Sequence, residues 1–433
     1  MMLSSSGDHW NFRIPPIPPR YNHRSFLRSR PKPLSNSPRA TIEFFALNRN
    51  ISILLAALVG MGFAEELWMR FLPKYLETLG AAVWAIGLFD AIKTWIGAVY
   101  AYPGGIVTDR WGHRRALRFF TLVSLAGYML LLLIPYWTGV LAASFLFLAW
   151  SSLSLPATFS LVGSSLAANK YAMGIGVQAT VKRVPIIIAP LAGGMLIDHY
   201  GVVEGTRIGI GVAVLLAILT LGLQRQIREP RSSTAIRPRL TFRKSVQNFD
   251  PALRRLLLSD ILVRFCERIP YAWVVLYSMN EVGVNATQFG LLTGIEMVTA
   301  MVCLIPVAYL SDKYGREPFI VATFIFFTLF PISMLFANGF GGLVVAFTIR
   351  GLKEFGETAR KSLIIQLAPE PARGQTVGAY YLVRDCLATL AAFLGAALWQ
   401  FSPQANFVGA AVVGAAGTSL YIWTQHRHDR RCS

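Results

Sequence analysis

Ionisable side chains recur inside stretches of this sequence that are otherwise apolar, and their types limit what they could do. Glu65, Glu66 and Arg70 fall in one stretch, Asp90 and Lys93 in the next, Lys182 and Arg183 further on, and Arg264, Glu267 and Arg268 beyond the midpoint. Glu296, a series from Arg350 to Lys361, and the pair Arg384-Asp385 complete the set. A charge at mid-membrane costs about 2.5 kcal/mol or more unless it is paired or hydrated. These residues therefore either brace one another or line a wet crevice. Within the series, Arg350, Lys353, Glu354, Glu357, Arg360 and Lys361 stand at offsets 0, 3, 4, 7, 10 and 11. On a continuous helix that confines them to one stripe about 120° wide.

Two chemistries fit such residues. Coupling to a proton gradient needs a group that holds a proton in one conformer and releases it in another, and a carboxylate set in an apolar wall can do this. Glu65, Glu66, Glu296 and Glu357 are the proton-coupling candidates. Holding a polar or anionic solute needs fixed charges and donors, for which the guanidinium fork of Arg is suited. Arg268, Lys353, Glu354, Arg384 and Asp385, with Tyr271 and Tyr380, are the substrate-binding candidates. Trp68, Trp273 and Tyr381 stand beside them, able to meet a ring or cation or simply to pack. Local pairing is the competing arrangement, Asp90 with Lys93 and Glu66 with Arg70 at helical spacing. Arg360 and Lys361, near the end of their stretch, are expected to snorkel toward the interface.

The elements that position these residues are membrane helices. Of 433 residues 54% are hydrophobic and only 15% charged, against roughly 25% charged in soluble domains. The mean hydropathy is +0.49. Apolar runs of about 20 residues, the length that crosses a bilayer, recur from Ile51 to Trp423. Net charge of +19 does not mark a nucleic-acid binder, because the Lys and Arg gather in loops between apolar runs, where they act as topology signals. Cys266, Cys303, Cys386 and Cys432 lack paired spacing and His partners, so neither a disulfide nor a metal site is expected. No nucleophile with its base and no phosphate-cradling Gly loop points to an enzyme.

Twelve helical spans are expected, at about 51–76, 82–107, 116–136, 139–166, 171–197, 206–224, 256–279, 286–310, 319–337, 341–367, 374–400 and 405–424. Residues 1–45, with Pro15-Pro16-Ile17-Pro18-Pro19 and scattered Arg, read as a disordered basic tail. Residues 46–224 form a first six-helix bundle, 225–255 a basic linker, 256–425 a second bundle and 426–433 a short tail. The connections near Pro135–Thr138, Asn338–Gly341 and Phe401–Gln404 contain no Lys or Arg, while the linker carries nine. That asymmetry places both termini in the cytoplasm of a multi-pass plasma (inner) membrane protein.

The two bundles are copies. Sliding one onto the other by 203 positions aligns Gly87 with Gly290, Pro103 with Pro306, Asp109 with Asp312, Arg110 with Lys313 and Gly112 with Gly315 without a gap. A shift of 202 places Lys182 on Arg384. Paired halves that rock about a central site are the usual build of secondary transporters.

With twelve spans in two halves and Gly-x-x-x-Asp-Arg-x-Gly-x-Arg after the second, the chain resembles the major facilitator superfamily over about residues 50–425. The resemblance implies an all-α fold of two pseudo-symmetric six-helix bundles, with the first, fourth, seventh and tenth spans lining a central cavity. It also implies a gate made by Gly105, Asp109, Arg110, Gly112 and Arg114, with Asp312, Lys313, Gly315 and Arg316 as a degenerate copy. Here Gly105 would allow close helix approach and Asp109 would meet a helix end. His113 and Ala308 depart from the family pattern. The fifth span carries Gly176, Pro190 and Gly193, a degraded form of the family's antiporter signature that also suits plain helix packing, with Pro185 and Ala189 where exporters place Gly. The buried Arg that exporters hold in the fourth span is missing from Trp150-Ser151-Ser152-Leu153.

The expected function is secondary active transport of a small organic solute, by proton-coupled export in the manner of drug/proton antiporters. The protein would work as a monomer in the lipid bilayer, without cofactor, metal or nucleic acid and with the proton gradient as energy source. Uptake of a polar organic anion by symport is the alternative, favoured by the basic residues of the second half. A membrane sensor or lipid-handling protein on the same scaffold is a third.

Overall fold

The computed structural model describes residues 49–166, 171–228, 246–247, 249–368 and 373–432. The expected tail over residues 1–45 and residues 229–245 of the linker lie outside them.

Each of the twelve expected spans is a helical rod, and six of the rods are broken. The third (His113–Leu133), fifth (Tyr171–Tyr200), sixth (Val202–Gln224), eighth (Ala286–Tyr314), ninth (Glu317–Leu335) and twelfth (Pro403–Cys432) run without interruption. The first divides into Arg49–Met69 and Leu72–Thr78, the second into Val83–Val99 and Ala101–Trp111, and the fourth into Trp137–Phe147 and Ala149–Ser165. The seventh divides into Pro251–Arg268, Trp273–Leu276 and a wide turn Tyr277–Glu281, the tenth into Gly339–Leu352 and Glu357–Leu367, and the eleventh into Arg373–Ala388 and Leu390–Phe401. Pro73 and Pro270 stand at or just past the breaks of the first and seventh rods, where a missing N–H and a ring clash end a helix. The break in the tenth is held by Thr323, whose Oγ1 accepts from Gly356 N at 2.5 Å.

Two corrections to the expected spans follow. The tenth span is not one continuous helix, so the stripe reasoning from Arg350 to Lys361 applies only piecewise. The twelfth rod continues to Cys432, through the residues expected to form a tail, because Gln425-His426-Arg427-His428 contains no helix breaker. Among the described residues nine helices are long and apolar enough to cross a membrane, ten with the bent second rod. The seventh and tenth rods are not among them: Pro251–Arg268 carries six charged residues, and Gly339–Leu352 is only 14 residues long.

The duplication is physical. Gly112 and Gly315 end the second and eighth rods at φ 79° and 90°, and Gly80 and Gly283 turn the chain before them at φ 80° and 79°; the same shift of 203 relates both pairs. L side chains rarely adopt that backbone. In the fifth rod Gly193 lies on the Leu67 carbonyl of the first; in the eleventh Gly395 lies on the Ile269 carbonyl of the seventh. A shift of 202 carries the one contact onto the other.

The halves meet at the end of the bundle opposite the linker, called here the far end. Gly87 of the second rod packs on Ala392 and Ala396 of the eleventh, and its copy Gly290 of the eighth packs on Pro190 of the fifth. Gly194 sits on the Ala286 carbonyl. Asp198, at the end of the fifth rod, accepts from the Ala286 and Thr287 backbone N–H groups at 2.9 and 2.8 Å, so one half caps a helix N-terminus of the other. Lys74 donates to Asn280 Oδ1 at 2.5 Å, and Asn280 donates to Glu77 at 2.9 Å. Phe71 meets Phe289 edge-on at 5.7 Å between centroids.

A charged crevice as candidate functional site

Beneath that closed end two adjoining cavities lie between the halves, and the broken rods line both. The upper lobe, about 30 Å³, is walled by Met69, Phe89, Val274 and Phe289 with Arg70, Asp90, Lys93, Tyr271 and Arg350. The lower lobe, about 210 Å³, is walled by Arg70, Glu267, Arg268, Tyr271, Glu296, Arg350, Lys353 and Glu354. Arg70, Tyr271 and Arg350 belong to both. Helix breaks put these polar groups at the crevice, because chain that leaves the helix inside a membrane is tolerated only where it is buried in protein or lines a cavity.

Most of the charges are committed to partners. Arg70 donates to Glu66 at 3.0 Å. Glu296 takes Arg350 at 3.4 Å and Lys353 at 3.3 Å, and Lys353 reaches Glu267 at 3.0 Å. Arg264 binds Glu267 at 2.6 Å and approaches Glu357 at 3.8 Å. Glu354 faces Arg183 of the other half at 3.8 Å. Tyr271 is ringed by cations: Arg268, Lys93 and Arg350 stand 5.0, 5.2 and 5.9 Å from its centroid.

Behind the crevice is a second, sealed cluster. Asp260 and Arg360 are both fully buried and paired, and Arg360 also binds Glu357. Asp260 further accepts from Tyr380 Oη at 3.0 Å and Arg384 at 3.4 Å, while Arg384 holds Asp385 at 2.8 Å. The seventh, tenth and eleventh rods are thus cross-tied by ion pairs.

The candidates separate accordingly. Arg268, Lys353, Glu354 and Tyr271 line the crevice, as does Glu296 among the proton-coupling candidates. Arg384, Asp385, Tyr380 and Glu357 belong to the sealed cluster, and Tyr380 is fully buried. Glu66 reaches the crevice through Arg70, and Glu65 lies beside it in the field of Glu66, Lys93 and Lys182. Arg360 does not snorkel: it is fully buried because Asp260 lies opposite to neutralise it. Lys361, its side chain 55% exposed, does reach outward. Glu66 pairs with Arg70 as the spacing predicts, whereas Lys93 turns to Tyr271 rather than closing on Asp90.

Asp260 was invisible to sequence reasoning as a hub, since its partners Arg360, Tyr380 and Arg384 lie 100, 120 and 124 residues away. Asp198, Lys74 and Asn280, which tie the far end, were likewise missed. The basic residues near Asp260 were the available signal, a carboxylate among Arg254, Arg255 and Arg264 on one short helix.

The gate residues lie at the linker end, around the turns after the second and eighth rods. Asp109 and Arg110 are exposed in the last turn of the second rod, and Gly112 alone separates that rod from the third. Asp109 thus stands in the carboxyl-terminal turn of its own helix. Gly104, not Gly105, makes the close approach, lying on the Leu153 backbone, while a Cβ at Gly105 would stand 3.9 Å from Pro156. In the copy, Lys313 lies over its neighbour Tyr314 at 5.2 Å and Arg316 binds Gln366; the Asp312 side chain lies outside the described residues. Of the antiporter-like residues, Gly193 and Pro190 are helix contacts, and nothing lies within 4 Å of a Cβ placed at Gly176. Packing accounts for Gly193 and Pro190 but not for Gly176.

A family model described as Major Facilitator Superfamily matches residues 53–277 and 256–432. Multidrug resistance protein MdtG of Escherichia fergusonii is 24% identical over 318 residues, covering 70% of this chain and 76% of its own length. An MFS-type transporter of Methanocaldococcus jannaschii, MJ1317, is 20% identical over 384 residues, covering 87% and 95%. Among solved structures, the nucleoside transporter NupG superposes with a TM-score of 0.73 at 13% identity, over 86% of this chain and 99% of that one. A peptide transporter POT in complex with sulfate gives 0.73 at 15% identity, over 89% and 96%. At such identities these structures speak for the fold alone.

Proposed function

This chain belongs to the major facilitator superfamily, and from that premise we propose that it exports small organic solutes in exchange for protons, by alternating access of the crevice. The observation that carries the reading is the crevice itself, charged, roofed at the far end by contacts between the halves, and wider in its lower lobe. The basic linker and loops assign the linker end to the cytoplasm, with both termini there, in a plasma (inner) membrane. The described conformer is then the inward-open one. In the outward-open one the far-end contacts part and the residues around Asp109 and Lys313 come together as the gate. The relatives named as multidrug resistance proteins support export of drug-like solutes.

Glu296 is the proton-coupling candidate best placed for the work, since it lines the crevice and its Oε2 has no hydrogen-bond partner among the described residues. Protonating it would release Arg350 and Lys353. The protein acts as a monomer and takes its energy from the proton gradient, with no cofactor.

Purified protein in proteoliposomes tests this. A dye-like solute should move against a pH gradient and stop when the gradient is collapsed, and Glu296→Gln should lose the response to pH while retaining downhill exchange. Solute movement indifferent to the gradient would remove proton coupling. A second reading, uptake of an organic anion together with protons, is favoured by Lys93 and Arg268 around Tyr271; solute moving in the same direction as the protons would select it.

A further inference from the structure

The cations of the crevice are not alike. Arg70 is committed to Glu66, and Arg350 and Lys353 to Glu296 and Glu267. Lys93 and Arg268 differ from these: each lies over the Tyr271 ring, at 5.2 and 5.0 Å from its centroid, and among the described residues neither has a carboxylate oxygen at ion-pair distance. Asp90, 2% exposed, is the one carboxylate among the residues lining this upper lobe, and it acts on both cations from longer range. Glu267 also acts on Arg268 and Glu65 on Lys93, yet neither cation closes an ion pair with any of these carboxylates, in a place where charge without a close partner is costly. Phe89, Phe289, Met69 and Val274 wall the upper lobe with apolar surface, and Arg268 and Tyr271 face the wider lower lobe.

Resting on the transporter reading above, we propose that the solute is an organic anion bearing a ring, its acidic group bridging Lys93 and Arg268 and its ring against Tyr271 in the lower lobe. A carboxylate, sulfonate or phosphate supplies the close ion-pair partner that neither cation has among the described residues, and a guanidinium with an ammonium beside it supplies the fixed donors such a group takes. The two cations come from different halves, Lys93 from the second rod and Arg268 from the seventh. A bound anion therefore ties the bundles to each other at the depth of the crevice, and its arrival and departure change the balance between the two ends.

The test uses full-length protein in nanodiscs and three probes of one shape: naphthoate, the uncharged naphthamide and the cationic naphthylmethylammonium. Calorimetry should show naphthoate binding at least about tenfold more tightly than the amide, with the ammonium weakest. Lys93→Gln and Arg268→Gln should each weaken naphthoate roughly 10- to 100-fold, the loss of one charge-assisted contact, and leave the amide unmoved. Lys93→Arg and Arg268→Lys, which keep the charge, should recover most of the affinity, and they serve also if a Gln variant fails to fold. Tighter binding of the ammonium would assign the site to Asp90 and a cation; equal binding of all three, or Gln variants with unchanged naphthoate affinity, would also overturn the proposal. Because binding is read without flux, the outcomes separate. Anion binding without gradient-driven transport would sink the transport reading, and transport without anion preference would sink this one.

Discussion

The two bundles share a fold and a repeat, yet they are held together by different forces. In the first, Trp68 packs edge-on against Tyr128 and Phe147 at 6.0 and 5.2 Å, and apart from the Glu66–Arg70 pair at the crevice neutral groups close the buried hydrogen bonds. Ser124 donates to the Phe147 carbonyl at 3.1 Å and accepts from Trp150 N at 2.8 Å, and Thr121 and Gln224 bond each other at 2.9 Å. In the second, at comparable depth, Asp260, Arg360, Glu357, Arg264, Glu267 and Lys353 form a chain of ion pairs across the seventh and tenth rods. Apolar contacts are non-directional and tolerate small rearrangement, whereas paired ions demand particular partners. The contrast makes the first bundle the adaptable wall of the crevice and the second its braced wall.

Five substitutions probe that contrast. The largest effect belongs to Arg360→Met, which removes the buried guanidinium between Asp260 and Glu357 and leaves them only Arg384, Arg264 and Lys361 as cations; a loss of about 3–5 kcal/mol is expected, read as a lowered melting midpoint in detergent. Pairing it with Asp260→Leu should recover part of the loss, because an apolar pair of similar volume costs little where a lone buried charge costs much. In the first bundle Ser124→Ala removes a hydroxyl from a buried backbone N–H, and about 1–3 kcal/mol is expected. A first-bundle loss as large as that of Arg360→Met would erase the distinction between the halves.

Smaller effects sit at the junction. Asp198→Asn keeps the shape of the far-end cap but removes its charge, costing about 1 kcal/mol, which shifts the balance between conformers roughly fivefold. Spin labels at Thr78 and Glu281, both exposed, should then report a larger share of long distances. Lys361→Ala, whose side chain is 55% exposed, should change the melting midpoint by no more than about 0.5 kcal/mol. Asymmetry would fail as an account if this outer charge mattered as much as Arg360.

Much of this was legible in the sequence, because a repeat leaves its marks in residue types. Gly112 and Gly315 needed a left-handed backbone, Gly87 and Gly290 needed close approach, and both requirements survived at a fixed spacing. Apolar runs gave the twelve rods, and the spacing of Glu66 and Arg70 gave their pair. Hydropathy reads across Arg70, Ile269–Ala272 and Lys353–Gly356, so the helix breaks that build the crevice went unseen. Arg360 was misplaced for a related reason. Its depth was judged from distance along the chain, while its burial is set by Asp260, which only the fold brings opposite. Lys93 fits every local rule for pairing with Asp90 and turns instead to Tyr271 on the other half. Contacts between halves have no local signature.

The central claim is that two rigid halves exchange contact at one end for contact at the other. It is tested most directly by measuring two distances in one preparation, with spin labels at Thr78 and Glu281 across the far end and at Arg115 and Ile365 across the linker end, all exposed. On lowering the pH or adding the naphthoate probe, the account predicts that one distance lengthens as the other shortens. Two distances that stay fixed, or that lengthen and shorten together, would contradict it.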